Sequence, residues 1–293
     1  MGFVDGCETC GLLFVNPPPT ADELAETYGP DGGWGDARGT RAEHAGESIV
    51  GRPGAGSWRH MFDGIRTELD VTRPPAGSRV LDYGCGSGKF LDVLQDCGWS
   101  TFGIETAGAE AFKRHQRLEA IPGEGTFDLI LFHHVLEHLT RPLDVLQEAA
   151  AAVRPGGYLL VSVPRFDTLA EHRDHKYMIN RSHVTAYTRT CLEGLFARAG
   201  WRPLEGPVDG GRRGEKRLRL LASRTDDVLP LPTRPLDAAR RSLAAFHATG
   251  PSRPLLERAG LIRLSAGVTE ARRLVRHTGK RVATRAMGVR RLH

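Results

Sequence analysis

The residues best placed to do chemistry lie in the run Val80-Leu81-Asp82-Tyr83-Gly84-Cys85-Gly86-Ser87-Gly88-Lys89-Phe90-Leu91. Apolar residues lead into a carboxylate, three alternating glycines follow, and an amphipathic pattern then begins. That order describes a strand, a tight turn and the start of a helix. Glycine there lets the backbone take a positive φ and lets a ligand approach without a Cβ in the way. The N–H groups that open the helix offer the ligand polar contacts. A phosphate-cradling loop would follow Gly-Lys with a hydroxyl residue, and Gly88-Lys89 is followed by Phe90. A dinucleotide loop spaces its last two glycines by two residues; here one residue, Ser87, separates them. Asp82, ahead of the first glycine, suits neither pattern. Glu105, 17 residues beyond Gly88, closes a short apolar strand, Ser100–Glu105. A carboxylate at that distance accepts hydrogen bonds from both hydroxyls of a ribose; the alternative is a solvated glutamate at a strand end.

The elements that must position these groups follow in register. Phe90, Leu91, Leu94 and Cys97 recur at helical spacing, with Gly98 where a helix ends. Phe127–Phe132 is too continuously apolar for a half-exposed strand and reads as a buried parallel one. It leads into His133-His134-Val135-Leu136-Glu137-His138, which is expected to run into a helix marked by Leu139, Leu143, Leu146, Ala150 and Val153. Arg154-Pro155-Gly156-Gly157 is expected to end that helix before a strand over Tyr158–Pro164. Ser182–Thr188 then precedes a helix with Thr190 and Glu193 at capping-box spacing, ending at Ala199-Gly200-Trp201.

Leu81-Asp82-Tyr83-Gly84-Cys85-Gly86-Ser87-Gly88 closely resembles the first motif of class I S-adenosylmethionine-dependent methyltransferases. The Phe-Asp strand, the His-Val-Leu-Glu-His-Leu run and Arg-Pro-Gly-Gly resemble the middle of the same family, nearest to its ubiquinone-type O-methyltransferases and sugar or natural-product methyltransferases. The resemblance covers about residues 55 to 224. It implies an α/β, Rossmann-like, doubly wound seven-stranded sheet and S-adenosylmethionine as cofactor. Asp82, Tyr83, Gly84, Cys85, Gly86 and Gly88 would hold the cofactor's middle, Glu105 its ribose, and His133, mostly through main chain, its methionine end. The loop after the fifth strand closes over the acceptor in this fold. His183 on that loop is therefore expected to be the general base, since imidazole titrates near neutrality. His138 is a second candidate, with a structural hydrogen-bonding role as the equal alternative; Tyr187 lies on the same loop as His183, and His172 and His175 would shape the substrate pocket. No histidine spacing points convincingly to a metal. One departure concerns adenine. Only 21 residues separate Glu105 from Phe127, and they must hold a helix near Ala107–Arg117, a third strand and a loop. Glu119 and Glu124 are the remaining candidates to read the adenine amino group.

The rest of the chain falls into an N-terminal segment (1–54), the expected methyltransferase domain (55–228) and a tail (229–293). Cys7-Glu8-Thr9-Cys10-Gly11 resembles half of a zinc ribbon, and four ligands close a structural zinc site; it reads as a remnant, or as part of a chain whose start lies earlier, and no bound metal is expected. Residues 212–293 hold 20 Lys and Arg against 6 Asp and Glu, whereas residues 1–211 hold 20 against 29. An acidic body with a basic C-terminal helical extension is expected, joined by Leu229–Pro235, with helices over 236–247 and 254–287. That extension either packs on the body or meets an anionic partner. Its single aromatic, Phe246, gives no support for stacking on nucleic-acid bases. No run approaches the length of a membrane span, no leader peptide is recognisable, and five cysteines without a framework fit reduced thiols in a cytoplasm. The expected activity is methylation of a small-molecule acceptor (a sugar, sugar nucleotide or secondary metabolite), most simply on oxygen. An RNA methyltransferase using the basic tail and a non-catalytic scaffold with this fold are the alternatives.

Overall fold

The computed structural model describes residues 3–28, 73–106, 110–167, 182–204 and 217–241. A hairpin of β1 (Phe3–Gly6) and β2 (Leu13–Asn16) opens the chain, and helix α1 (Ala21–Tyr28) follows. A reciprocal capping box starts α1: Glu23 N–H donates to Thr20 Oγ1 (3.2 Å) and Thr20 N–H to Glu23 Oε2 (2.8 Å).

The central sheet is built from β3 (Arg79–Tyr83), β4 (Ser100–Ile104), β5 (Gln116–Arg117), β6 (Phe127–His133), β7 (Val153–Pro164), β9 (Trp201–Pro203) and β10 (Arg217–Arg224). Its order is β5-β4-β3-β6-β7-β10-β9. Strands β3 to β7 pair in parallel, while β10 runs antiparallel to both its neighbours. The order reverses between β3 and β6, the switch point beyond which ligands of open α/β sheets bind. This is the seven-stranded, Rossmann-like α/β fold expected from the sequence. Helix α2 (Lys89–Asp96) buries Phe90, Val93 and Leu94 with Val80, Leu129 and Leu131. On the other face, α3 (Pro142–Ala152) and α4 (Arg189–Ala199) bury Leu146, Ala149, Leu192, Leu195 and Phe196 against Leu81, Ile130, Phe132 and Val161. The two-residue strand β8 (Thr185–Ala186) pairs with β2, so the N-terminal hairpin is stitched to the loop after β7.

Several expected boundaries move. His134 does not enter a helix: its φ is +56°, a left-handed turn. Only Leu136–His138 coils, as a 3-10 turn, and α3 waits for Pro142 at its first position. Strand β7 starts at Val153, so Arg154-Pro155-Gly156-Gly157 is a bulged part of the strand and not a helix terminus. Helix α4 is capped by Thr188, whose Oγ1 accepts from Cys191 N–H (3.2 Å). Thr190 lies inside the first turn, and Glu193 pairs with Arg189 (2.8 Å) instead. Thr188→Ala should therefore cost about 1 kcal/mol in a denaturant titration.

The helix expected near Ala107–Arg117 gives way, in its described part, to a 3-10 turn (Glu110–Lys113) and β5. A buried ion network ties this segment down. Asp92 accepts from Arg114 Nε (2.7 Å) and Nη2 (3.0 Å) and lies 2.9 Å from His115 Nε2, while His115 Nδ1 lies 2.9 Å from Thr101 Oγ1. Asp92→Ala strands these partners out of water, so guanidinium unfolding should report a loss of about 3 kcal/mol.

Leu236 and Ala239, just past the proline-rich stretch, are buried, and Leu236 packs against Gly6 of the hairpin. Residues 237–241 are helical as expected. The rest of the basic extension lies outside the described residues, as do His172 and His175. No helix among the described residues is long and apolar enough to cross a membrane.

Candidate active site

Three loops meet at the carboxyl ends of β3, β4 and β6. Beyond Tyr83 the chain turns sharply, with Gly84 and Cys85 N–H donating to Ile104 O (2.8 and 3.1 Å). Gly84 has φ +73° and a Cβ there would lie 2.4 Å from Val135 Cγ2, so this glycine serves packing. Gly86 differs: its φ is +53°, and a Cβ would meet nothing within 4 Å. Gly86 N–H donates to Glu105 Oε2 (2.8 Å), and Glu105 Oε1 accepts from Thr106 N–H (2.8 Å). The glycine loop and the acidic end of β4 thus face each other across a short gap.

Asp82 sits beneath the loop, 2% exposed, with Oδ1 unpartnered among the described residues. Burial first, then the Glu105 charge, pushes its carboxyl well above the ordinary range. Burial likewise raises the Cys85 thiol, and Asp82 and Glu105 add to it. Tyr83 stacks on Phe132 at 5.1 Å and belongs to the core. The His133 ring packs against Phe90 (4.5 Å) and His134 (4.6 Å). Glu119 is paired with Arg117 at 3.0 Å and its side chain is 82% exposed, while Glu124 occupies a turn with φ +35°.

The acceptor-side candidates gather at the 3-10 turn after β6. His138 Nδ1 donates to Ser182 O (2.7 Å), and the His138 and His183 rings meet edge to face at 4.9 Å. Tyr187 is fully buried; its hydroxyl donates to Leu136 O (2.9 Å) and accepts from Thr185 Oγ1 (3.0 Å). It clamps the loop and does not line a pocket. Sequence spacing did not single out Glu137. It is 1% exposed, with Oε1 3.1 Å from His134 Nδ1. Its position within His-x-x-Glu-His is the available signal: the left-handed His134 and the 3-10 turn over Leu136–His138 bring residues 134 and 137 together, and residue 138 follows. Burial works to raise the Glu137 carboxyl, yet the His134 hydrogen bond and the charges of His134, His138 and His183 hold it below its ordinary value.

Cys7 and Cys10 are buried in the hairpin and free of disulfides. The neighbouring Cys10 thiol, with smaller help from backbone donors and Arg198, holds the Cys7 thiol below its ordinary value against the cost of burial. No third metal-binding side chain completes a group with them among the described residues.

A family model described as a methyltransferase domain matches residues 57–205. The chain belongs to that family, the class I S-adenosylmethionine-dependent methyltransferases. Among its relatives, the ubiquinone biosynthesis O-methyltransferase of Xanthomonas axonopodis pv. citri is 30% identical over 120 residues, 35% of this chain and 50% of that protein. A probable S-adenosylmethionine-dependent methyltransferase of Mycolicibacterium smegmatis is 28% identical over 158 residues, 46% of this chain and 62% of that protein. The methyltransferase therefore spans about half the length of the ubiquinone enzymes it matches. A solved structure, the Burkholderia thailandensis 1,6-didemethyltoxoflavin-N1-methyltransferase with S-adenosylhomocysteine, is 17% identical over 73% of this chain and 95% of that one, with a TM-score of 0.46. S-adenosylmethionine is the cofactor of this methyltransferase. The open space at Gly86 and the unpartnered Asp82 Oδ1 fit a polar ligand on the glycine loop.

Proposed function

We propose that this methyltransferase transfers a methyl group to a hydroxyl of a small-molecule acceptor, with His183 and His138 on the acceptor side. The observation that carries the reading is the edge-to-face pair of these imidazoles, held by the Ser182 carbonyl beyond β6. They lie at the sheet edge where the switch point places ligands. In this reading Glu105 takes the ribose hydroxyls and the backbone of Tyr83 to Gly88 takes the cofactor's middle. Asp82 supports the loop, and the main chain of His133 faces the methionine end. The bound cofactor supplies an electrophilic sulfonium methyl. What the protein adds is alignment of the acceptor oxygen for in-line displacement and help in removing its proton. The likeness to ubiquinone O-methyltransferases supports oxygen as the acceptor atom. The test is to incubate the full chain with methyl-tritiated S-adenosylmethionine and panels of sugars, sugar nucleotides, phenols and RNA. Label in an ether of a small molecule supports the reading; label in RNA alone overturns it.

A further inference from the structure

Glu137, His138 and His183 bring one ligand atom each to within 4.8 Å of one another, the one such grouping among the described residues. Metal–nitrogen and metal–oxygen bonds of about 2.0–2.2 Å set ligand atoms roughly 3–4 Å apart, so small side-chain movements close the set. We propose that these three side chains bind one divalent first-row metal ion, which holds and acidifies the acceptor hydroxyl. Two independent observations point to a cation. Glu137 Oε2 is buried and has no hydrogen-bond partner among the described residues, while Oε1 is already engaged by His134. A buried carboxylate oxygen left this way is costly unless something positive meets it. His138 donates its Nδ1–H to the Ser182 carbonyl, which fixes the tautomer and puts the lone pair on Nε2. Metal-bound histidines are oriented in this way by their second nitrogen. Two imidazoles and a carboxylate suit Mn, Fe, Co, Ni or Zn in the divalent state, and three protein ligands leave positions for the acceptor.

The inference rests on the O-methylation reading for its use, and it changes how the histidines act. His183 promotes deprotonation through the cation and does not itself take the proton. The acceptor O–H bond breaks, its proton goes to solvent, the oxygen–methyl bond forms and the carbon–sulfur bond of the sulfonium breaks. No electrons are exchanged with the metal.

The test is calorimetric and spectroscopic titration of the chelator-treated full chain with Co2+, and with Mn2+ in parallel. Each variant is also titrated with S-adenosylmethionine. A single Co2+ equivalent is expected, weakened about tenfold or more in Glu137→Gln and in His183→Ala. It should be unchanged in Cys7→Ser, which removes the competing thiol. Absence of Co2+ and Mn2+ binding by a chain that still binds S-adenosylmethionine overturns the cation site and leaves the methyltransferase reading standing. Binding that survives in both variants also overturns it. If Glu137→Gln does not fold, His183→Asn decides by the same criterion. Metal binding with no transfer to any oxygen acceptor keeps the site and removes its proposed use.

Discussion

Gly86→Val is expected to abolish binding of S-adenosylmethionine and S-adenosylhomocysteine while the fold survives. A Cβ at Gly86 meets no protein atom within 4 Å, so the space over this residue is open to a ligand on the loop. A branched side chain would fill it. The φ of +53° also disfavours a side chain, at a cost of about 1–2 kcal/mol. Strain of that size is visible as a modest fall in thermal stability, but it cannot by itself unfold a domain worth about 5–15 kcal/mol. Exclusion of the ligand acts separately: a loss of about 3 kcal/mol in binding is already more than a hundredfold in affinity. Gly84→Val gives the contrast. Its new side chain collides with Val135 on the 3-10 turn, so stability is lost first and binding only as a consequence. Calorimetry beside thermal unfolding separates the two cases. A Gly86→Val protein whose affinity stays within a few-fold of the parent would move the cofactor away from this loop.

The contrast between these glycines also shows what was legible beforehand. The strand–turn–helix order around Asp82 could be read because each step has its own residue signature: apolar run, glycines, then helical periodicity. The same holds for β4 with Glu105 and for the buried strand β6. The segment after Glu105 was harder. The turn and two-residue strand that replace a helix there have too few residues for a period, and they are held by Asp92, Arg114, His115 and Thr101, whose partnership joins distant positions. The start of helix α3 escapes the sequence pattern for a related reason. Leu139 and Val153 continue the apolar pattern by chance of register, while a left-handed His134 and Pro142 decide where coiling is possible. Glu137 was overlooked because its importance arises only when the loop after β7 folds back. The Ser182 carbonyl then meets His138, and Tyr187 and Thr185 meet the Leu136 carbonyl. The pairing of β2 with β8 likewise follows from tertiary contact and from no local propensity.

His183→Ala is expected to lower kcat by about a hundredfold to ten-thousandfold, with cofactor affinity unchanged, once an acceptor is in hand. His183 is carried by the loop after β7 and its ring meets His138, whereas the glycine loop is tied to Glu105 on β4. The two halves of the site therefore hang on different segments, and truncating one imidazole leaves the other half intact. Its effect should fall on the chemical step: kcat and kcat/KM drop together when an interaction made only in the transition state is removed. A rise in KM at constant kcat would instead make His183 a wall of the acceptor pocket. The same variant separates direct from metal-assisted proton removal. If the turnover lost in His183→Ala is accompanied by loss of Co2+ binding, the imidazole acts as a ligand. If turnover falls while Co2+ stays bound to Glu137 and His138, His183 takes the proton itself and the cation has another task.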